Sequence, residues 1–210
     1  TSTPVGGTDW VHGIADERSY YTDKKVAGLE HSAEVLGRVF EGLPVRVAFY
    51  GDEARIVYRA AFPVAIEGHA GLTDREVARQ ELPQRGRVGH EKHASVEYLV
   101  ERRAVHFTFS RVPGEILQLN DWIPELVVPF DREVYGRVLH WDPAMMQALH
   151  ERGVRVPDFL GVVDGAIAGL DALPREQVER LYDKLRRFYF LHNPDPEREA
   201  AFLRRLERPD

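Results

Sequence analysis

Apolar positions in this chain follow two different periods. From Asp23 to Phe40, residues Val26, Leu29, Val35, Leu36 and Val39 recur at helical spacing, and Gly42 with Pro44 closes the run. Val45 to Tyr50 reads instead as a strand, with Gly51-Asp52 as a turn and N-cap. Glu53 to Ala61 is then a short helix and Val64-Ala65-Ile66 a second strand. Strand, helix and strand packed into so short a stretch predict a βαβ unit, whose two strands are parallel and covered.

Further on, Thr73-Asp74-Arg75-Glu76 has the Thr-x-x-Glu form of a capping box and predicts a helix through Glu81. Pro83 to Lys92 is a polar, Gly-containing, Arg-rich loop, Ser95 caps a helix over Val96 to Arg103, and Val105 to Phe109 alternates as a third strand. Beyond Pro113, the segments Ile116 to Leu119, Leu126 to Phe130 and Tyr135 to His140 read as short strands. Asp142-Pro143 opens a helix that stops at Gly153, and Pro174 to Phe190 and Pro196 to Leu206 are amphipathic helices. The expected fold is α/β: a small, mainly parallel sheet with flanking helices, followed by short strands and a helical C-terminal flank. One domain is expected over 1–210, with an irregular lead-in over 1–18, an α/β core over 19–113 and the strands and helical flank over 114–210.

Composition narrows the functional classes. A hydrophobic share of 43% in 210 residues supports a packed core. A formal net charge of −6 supplies no basic excess for a phosphate backbone, so nucleic acid is not an expected partner. The chain has no cysteine, which removes disulfides and thiolate chemistry. Its longest weakly charged run, Phe159 to Leu173, is shorter than the roughly 20 apolar residues of a spanning helix. The start, Thr1-Ser2-Thr3-Pro4, has no signal-type apolar core, so the sequence reads as a mature or excised chain.

Polar residues gather in two loops. Glu67, Gly68, His69, Gly71 and Asp74 follow the second strand, and Gly89-His90-Glu91-Lys92-His93 precedes the third. Ligands of parallel α/β sheets bind outside the carboxyl ends of the strands, which puts the first loop on the functional edge. The expected ligand-binding set is Glu67, His69, Asp74, Arg87, His90, Glu91 and Lys92, with no cofactor and no metal assigned. Ordinary structural roles compete for the same residues: Asp74 complements a helix dipole, Glu76 completes a cap and Gly71 permits a turn. Arg85, Arg87, Lys92, Arg102 and Arg103 offer forked bonds to phosphate or carboxylate, and equally make a solvated surface.

An alternative reading makes Glu67, His69, His90, Glu91 and His93 the ligands of a small metal-dependent hydrolase or transferase, although His90 and His93 are three apart rather than four. A phosphate cradle after the first strand is disfavoured, because Asp52 puts negative charge where the anion must approach. Trp10, Trp122 and Trp141, with Tyr20, Tyr21 and Tyr135, suit a sugar-stacking platform, although core packing is the commoner use of such rings. No Gly-x-Ser-x-Gly motif supports nucleophilic hydrolysis.

Tyr58, the apolar stretch Val64-Ala65-Ile66, the acidic Glu67, Gly71-Leu72-Thr73-Asp74 and the helix after it, then Gly89-His90-Glu91-Lys92 and Tyr98-Leu99, form an ordered series. In this series the chain resembles the soluble C-terminal region of polytopic glycosyltransferases that use polyprenyl-phosphate sugars, the group of the terminal arabinofuranosyltransferases of mycobacterial cell walls. The likeness covers residues 45–110; Glu67 stands where Asp is expected, and the transmembrane helices of that family are missing. In that family the catalytic acid sits in the membrane part. The resemblance therefore implies a noncatalytic extracytoplasmic module, on the periplasmic or cell-envelope side, tethered to the membrane in the full-length protein. Its implied partners are a glycan or polyprenyl-phosphate sugar and the membrane-embedded remainder. A third reading is a structural interaction domain that docks through the flank from Pro174 to Leu206.

Overall fold

Secondary structure and packing are described for residues 10–11, 14–15, 20–82, 92–110 and 126–208 of a computed structural model. In the lead-in, β1 (Trp10–Val11) and β2 (Ile14–Ala15) pair antiparallel, so a segment expected to be irregular carries one regular contact. α1 (Asp23–Val39) begins where Thr22 accepts a hydrogen bond from the Lys25 N–H, and it buries Ala33, Val35 and Leu36.

The main sheet has five strands: β3 (Arg46–Phe49), β4 (Val64–Glu67), β5 (Phe107–Ser110), β6 (Val127–Pro129) and β7 (Tyr135–Val138), in the order β4-β3-β5-β7-β6. β4, β3 and β5 are parallel, with Arg46 opposite Val64 and Val47 opposite Phe107. The expected βαβ unit is present, its crossover being a 3-10 turn at Gly51–Glu53 and α2 (Ala54–Ala60). The α/β class holds. The short strands complete the same sheet, β7 pairing antiparallel with β5 and β6 with β7. The expected strand over Ile116 to Leu119 lies outside the described residues.

Side chains alternate across the pleat. Val45 and Val47 enter a large cluster and Ala48 a smaller one on the other face, with Ile66, Val77, Leu99 and Val105. The large cluster runs from Ala33 in α1 through Phe107 and Trp141 to Phe202 near the C-terminus. It is completed by α4 (Pro143–Glu151), α5 (Phe159–Gly169), α6 (Arg175–Leu185) and α7 (Pro196–Glu207). Asp142, Asp158 and Asp195 cap three of these by accepting the N–H groups of Met145, Gly161 and Arg198. α5 carries almost no charge to mark an outer face, and the sequence pattern assigned it no helix. The single helix expected over Pro174 to Phe190 is α6 followed by a π turn at Arg186–Phe190, and this widening buries Phe188, Tyr189 and Phe190 in succession.

Two further expectations shift. Asp74, not Thr73, is the N-cap of α3 (Arg75–Ala78), while the Thr73 hydroxyl accepts from the Glu67 N–H at 2.8 Å. α3 stops well before Glu81: the Ala78 carbonyl accepts from the Lys92 ammonium, and the Gln80 amide brackets the His93 backbone, donating to its carbonyl at 3.0 Å and accepting its N–H at 3.2 Å. The helix expected over Val96 to Arg103 is centred on a π turn at Tyr98–Arg102, capped by Ser95, whose hydroxyl accepts from the Tyr98 N–H. Among the described residues no helix is long and apolar enough to cross a membrane.

Candidate ligand-binding edge of the sheet

The loop after β4 is built around a carboxylate. Glu67 is buried, and its two oxygens accept the backbone N–H groups of His69 at 3.0 Å, Ala70 at 2.7 Å and Gly71 at 2.8 Å. Glycine is required twice. A side chain at Gly68 runs into the Tyr50 ring, and Gly71 has a left-handed φ of +74° with the Ala78 backbone pressed against the place of a Cβ. The Tyr50 and His69 rings lie 4.7 Å apart on this tight turn.

Asp74, 5% exposed, joins the loop to the smaller core. Its Oδ1 accepts from the N–H groups of Glu76 and Val77 and from the Tyr98 hydroxyl at 2.7 Å, and its Oδ2 accepts from Arg103 Nε at 2.7 Å. Burial works against ionisation, but the Val77 N–H, the Tyr98 hydroxyl and the Arg103 guanidinium outweigh it and hold the carboxyl below its ordinary range. Burial and the same carboxylate push the Tyr98 hydroxyl up to about 12. Both acids of the first loop thus face inward and hold the loop in shape.

Of the second loop, Arg87, His90 and Glu91 lie outside the described residues. Its end is placed: the Lys92 N–H donates to the His69 carbonyl and the Ala94 N–H to the Gly68 carbonyl, both at 2.9 Å. The stretch from Lys92 to Ala94 therefore runs beside Gly68 and His69, and the His69 and His93 rings are 6.4 Å apart. For the metal alternative, Glu67 is already held by three amides.

A groove of about 560 Å³ opens at the same edge. It lies between the first half of α1, the turn after β3, the end of β5 and the start of β7, and its walls include Tyr20, Lys25, His31, Asp52, Glu133 and Tyr135. The Lys25 ammonium sits 3.2 Å above the Tyr20 ring and 2.6 Å from Asp52, while His31 pairs with Asp131 at 2.9 Å. Tyr20 is half exposed. Aromatic faces flanked by charged groups are thus collected at the carboxyl ends of two parallel strands. Trp141, by contrast, is buried in the core. Sequence reasoning named Tyr20 and Tyr135 but had no way to bring them together, because their meeting depends on β7 pairing with β5.

The opposite edge holds a cluster that the sequence pattern did not single out. One ligand-type atom from each of His106, His140 and Asp142 lies within 4.8 Å of the others. His106 and His140 are buried, whereas the Asp142 side chain keeps a third of its surface. The His140 Nδ1 is 2.9 Å from the Val105 carbonyl, and the His106 Nδ1 accepts the Arg46 N–H at 3.0 Å. The His140 and His192 rings are 4.8 Å apart. Burial and then the neighbouring His106 push the His140 imidazole down to about 4, and the His106 ring beside Asp142 holds that carboxyl down at about 2. In the sequence His106 is far from His140 and Asp142, and only the antiparallel register of β5 on β7, Phe107 opposite Val138, makes them neighbours.

No protein-family model, curated protein or solved structure matches this chain.

Proposed function

We propose that this chain is a noncatalytic extracytoplasmic module of a polyprenyl-phosphate-sugar glycosyltransferase, and that the groove at the carboxyl edge of the sheet holds glycan. The observation that carries the reading is the composition of that groove: the rings of Tyr135 and of Tyr20, the latter covered on one face by Lys25, provide aromatic wall for the C–H side of a sugar, and Asp52, Glu133 and His31 surround them with hydrogen-bonding groups. His69 and Lys92 lie outside the groove's walls and enter the proposal through the segments on which the family resemblance rests. Glu67 and Asp74 serve the site by fixing the loop, while Arg87, His90 and Glu91 belong to the same ligand-binding proposal. The membrane-embedded remainder of the protein is the proposed partner. The alternative of docking through the C-terminal flank has less support, because Val178, Leu185 and Phe202 of that flank are fully buried in the chain's own core.

Titration of the chain with furanosyl and pyranosyl oligosaccharides and with a short-chain polyprenyl phosphate, followed by NMR, tests this. Expected are shifts at the groove and at His69, and binding about five-fold weaker in Tyr20→Ala and in Tyr135→Ala, the size of one stacking contact. His90→Ala in the same titration tests the second loop. Oligosaccharide binding that leaves the groove signals unmoved, or no binding at all, overturns the proposal.

A further inference from the structure

We propose that His106, His140 and Asp142, at the amino edge of the sheet, form a binding site for a borderline transition-metal ion, with Zn²⁺ as the best-suited occupant. The site is separate from the glycan groove, since Arg46 and His106 stand where β3 and β5 begin and the groove lies where they end.

Three observations converge. The first is spacing. The His106 Nε2 and Asp142 Oδ2 are 3.4 Å apart, longer than a normal N–H···O hydrogen bond. Two ligands each about 2.0–2.1 Å from a tetrahedral ion stand about 3.4 Å from one another. The third ligand atom, from His140, is within 4.8 Å of both.

The second is orientation of the rings. The Val105 carbonyl accepts the His140 Nδ1 proton and leaves Nε2 with its lone pair, the arrangement in which a backbone carbonyl fixes the tautomer of a metal-bound histidine. His192 shows the same pattern: its Nε2 faces the Val100 carbonyl at 2.8 Å, which leaves Nδ1 as a lone-pair donor on a ring 4.8 Å from that of His140. Its ligand atoms nevertheless fall outside the set that lies mutually within 4.8 Å, so the site is built from His106, His140 and Asp142.

The third is the donor set itself. Two imidazoles and one carboxylate suit Zn²⁺ or its neighbours, whereas Mg²⁺ and Ca²⁺ take oxygen ligands. Asp142, partly exposed, provides the way in. One group opposes binding: an ion on His106 Nε2 leaves Nδ1 protonated and facing the Arg46 N–H, so occupancy displaces that 3.0 Å bond. Affinity is therefore below that of a structural zinc site whose ligands are all pre-aligned.

The chain has 9 histidines, so a test must separate this site from surface binding. Metal-free protein is titrated with Zn²⁺ by calorimetry, and with Co²⁺ while the visible absorption of a tetrahedral nitrogen-ligated ion is followed. Expected are one saturable site per chain, a thermal midpoint raised by Zn²⁺ and not by Mg²⁺, and about 10- to 100-fold weaker binding in Asp142→Asn, which keeps the oxygen that caps α4. His192→Gln, on a partly buried ring, provides a second variant and is expected to weaken binding less. No saturable Zn²⁺ binding to the wild-type chain overturns the proposal. So does unchanged affinity in an Asp142→Asn chain that keeps the wild-type circular dichroism and melting behaviour.

Discussion

Asp74 concentrates more of the local structure than any other side chain in the β4 loop. It caps α3, orients Tyr98 and neutralises Arg103, so its removal leaves a partly buried hydroxyl without its acceptor and Arg103 with Glu76 as its remaining carboxylate. Asp74→Ala is expected to destabilise the fold by about 3 kcal/mol in urea unfolding, as for other broken buried pairs. The acid dependence has a definite sign. The folded carboxyl titrates below its ordinary 3.8, so the stabilisation is complete above that value and is lost as pH falls through the lower, folded one. In Asp74→Asn that part of the acid limb should flatten, which denaturant midpoints between neutral and strongly acidic pH will check. The sequence made Asp74 visible, through its place at the start of a helix, but gave it a ligand instead of partners. Tyr98 and Arg103 are more than twenty residues away, and nothing local announces that a π turn will point both at one carboxylate.

Elements were more legible than residues, and the exceptions have physical causes. α1, α2, α4 and α7 were readable from apolar spacing together with Asp-Pro or Gly punctuation. α5 was not, because it lacks the polar face that makes helical period visible, and the end of α6 was misjudged because a π turn breaks the period it belongs to. α3 ends at Ala78, whose carbonyl accepts from Lys92 of another loop, a contact between segments that no local pattern encodes. Helix ends also show where the sequence is not optimal. Ala61 closes α2 in the left-handed region at φ 53°, exposed to solvent, where glycine is the unstrained choice. Ala61→Gly should therefore stabilise the protein by about 0.5–1 kcal/mol, read as a higher urea midpoint with an unchanged slope.

For the whole molecule, the same cluster that lines one face of the sheet also takes in the C-terminal helices, with Phe202 fully buried. Phe202→Ala should cost about 3–5 kcal/mol, and unfolding followed by tryptophan fluorescence and by far-ultraviolet circular dichroism should give one coincident transition. Two separated transitions would mean that the helical flank folds independently of the sheet. The βαβ half of the sheet was readable because sequence-adjacent strands pair there. The placement of β7 between β5 and β6 was not, and both the groove and the histidine cluster depend on it. The interior position of Glu67 has a further consequence. Three amides converging on a single point make a natural nest for an outside anion, and this chain fills the nest with a lodger of its own. An anion arriving from solution finds these three amides already taken, so the β4 turn stays locked around its own carboxylate.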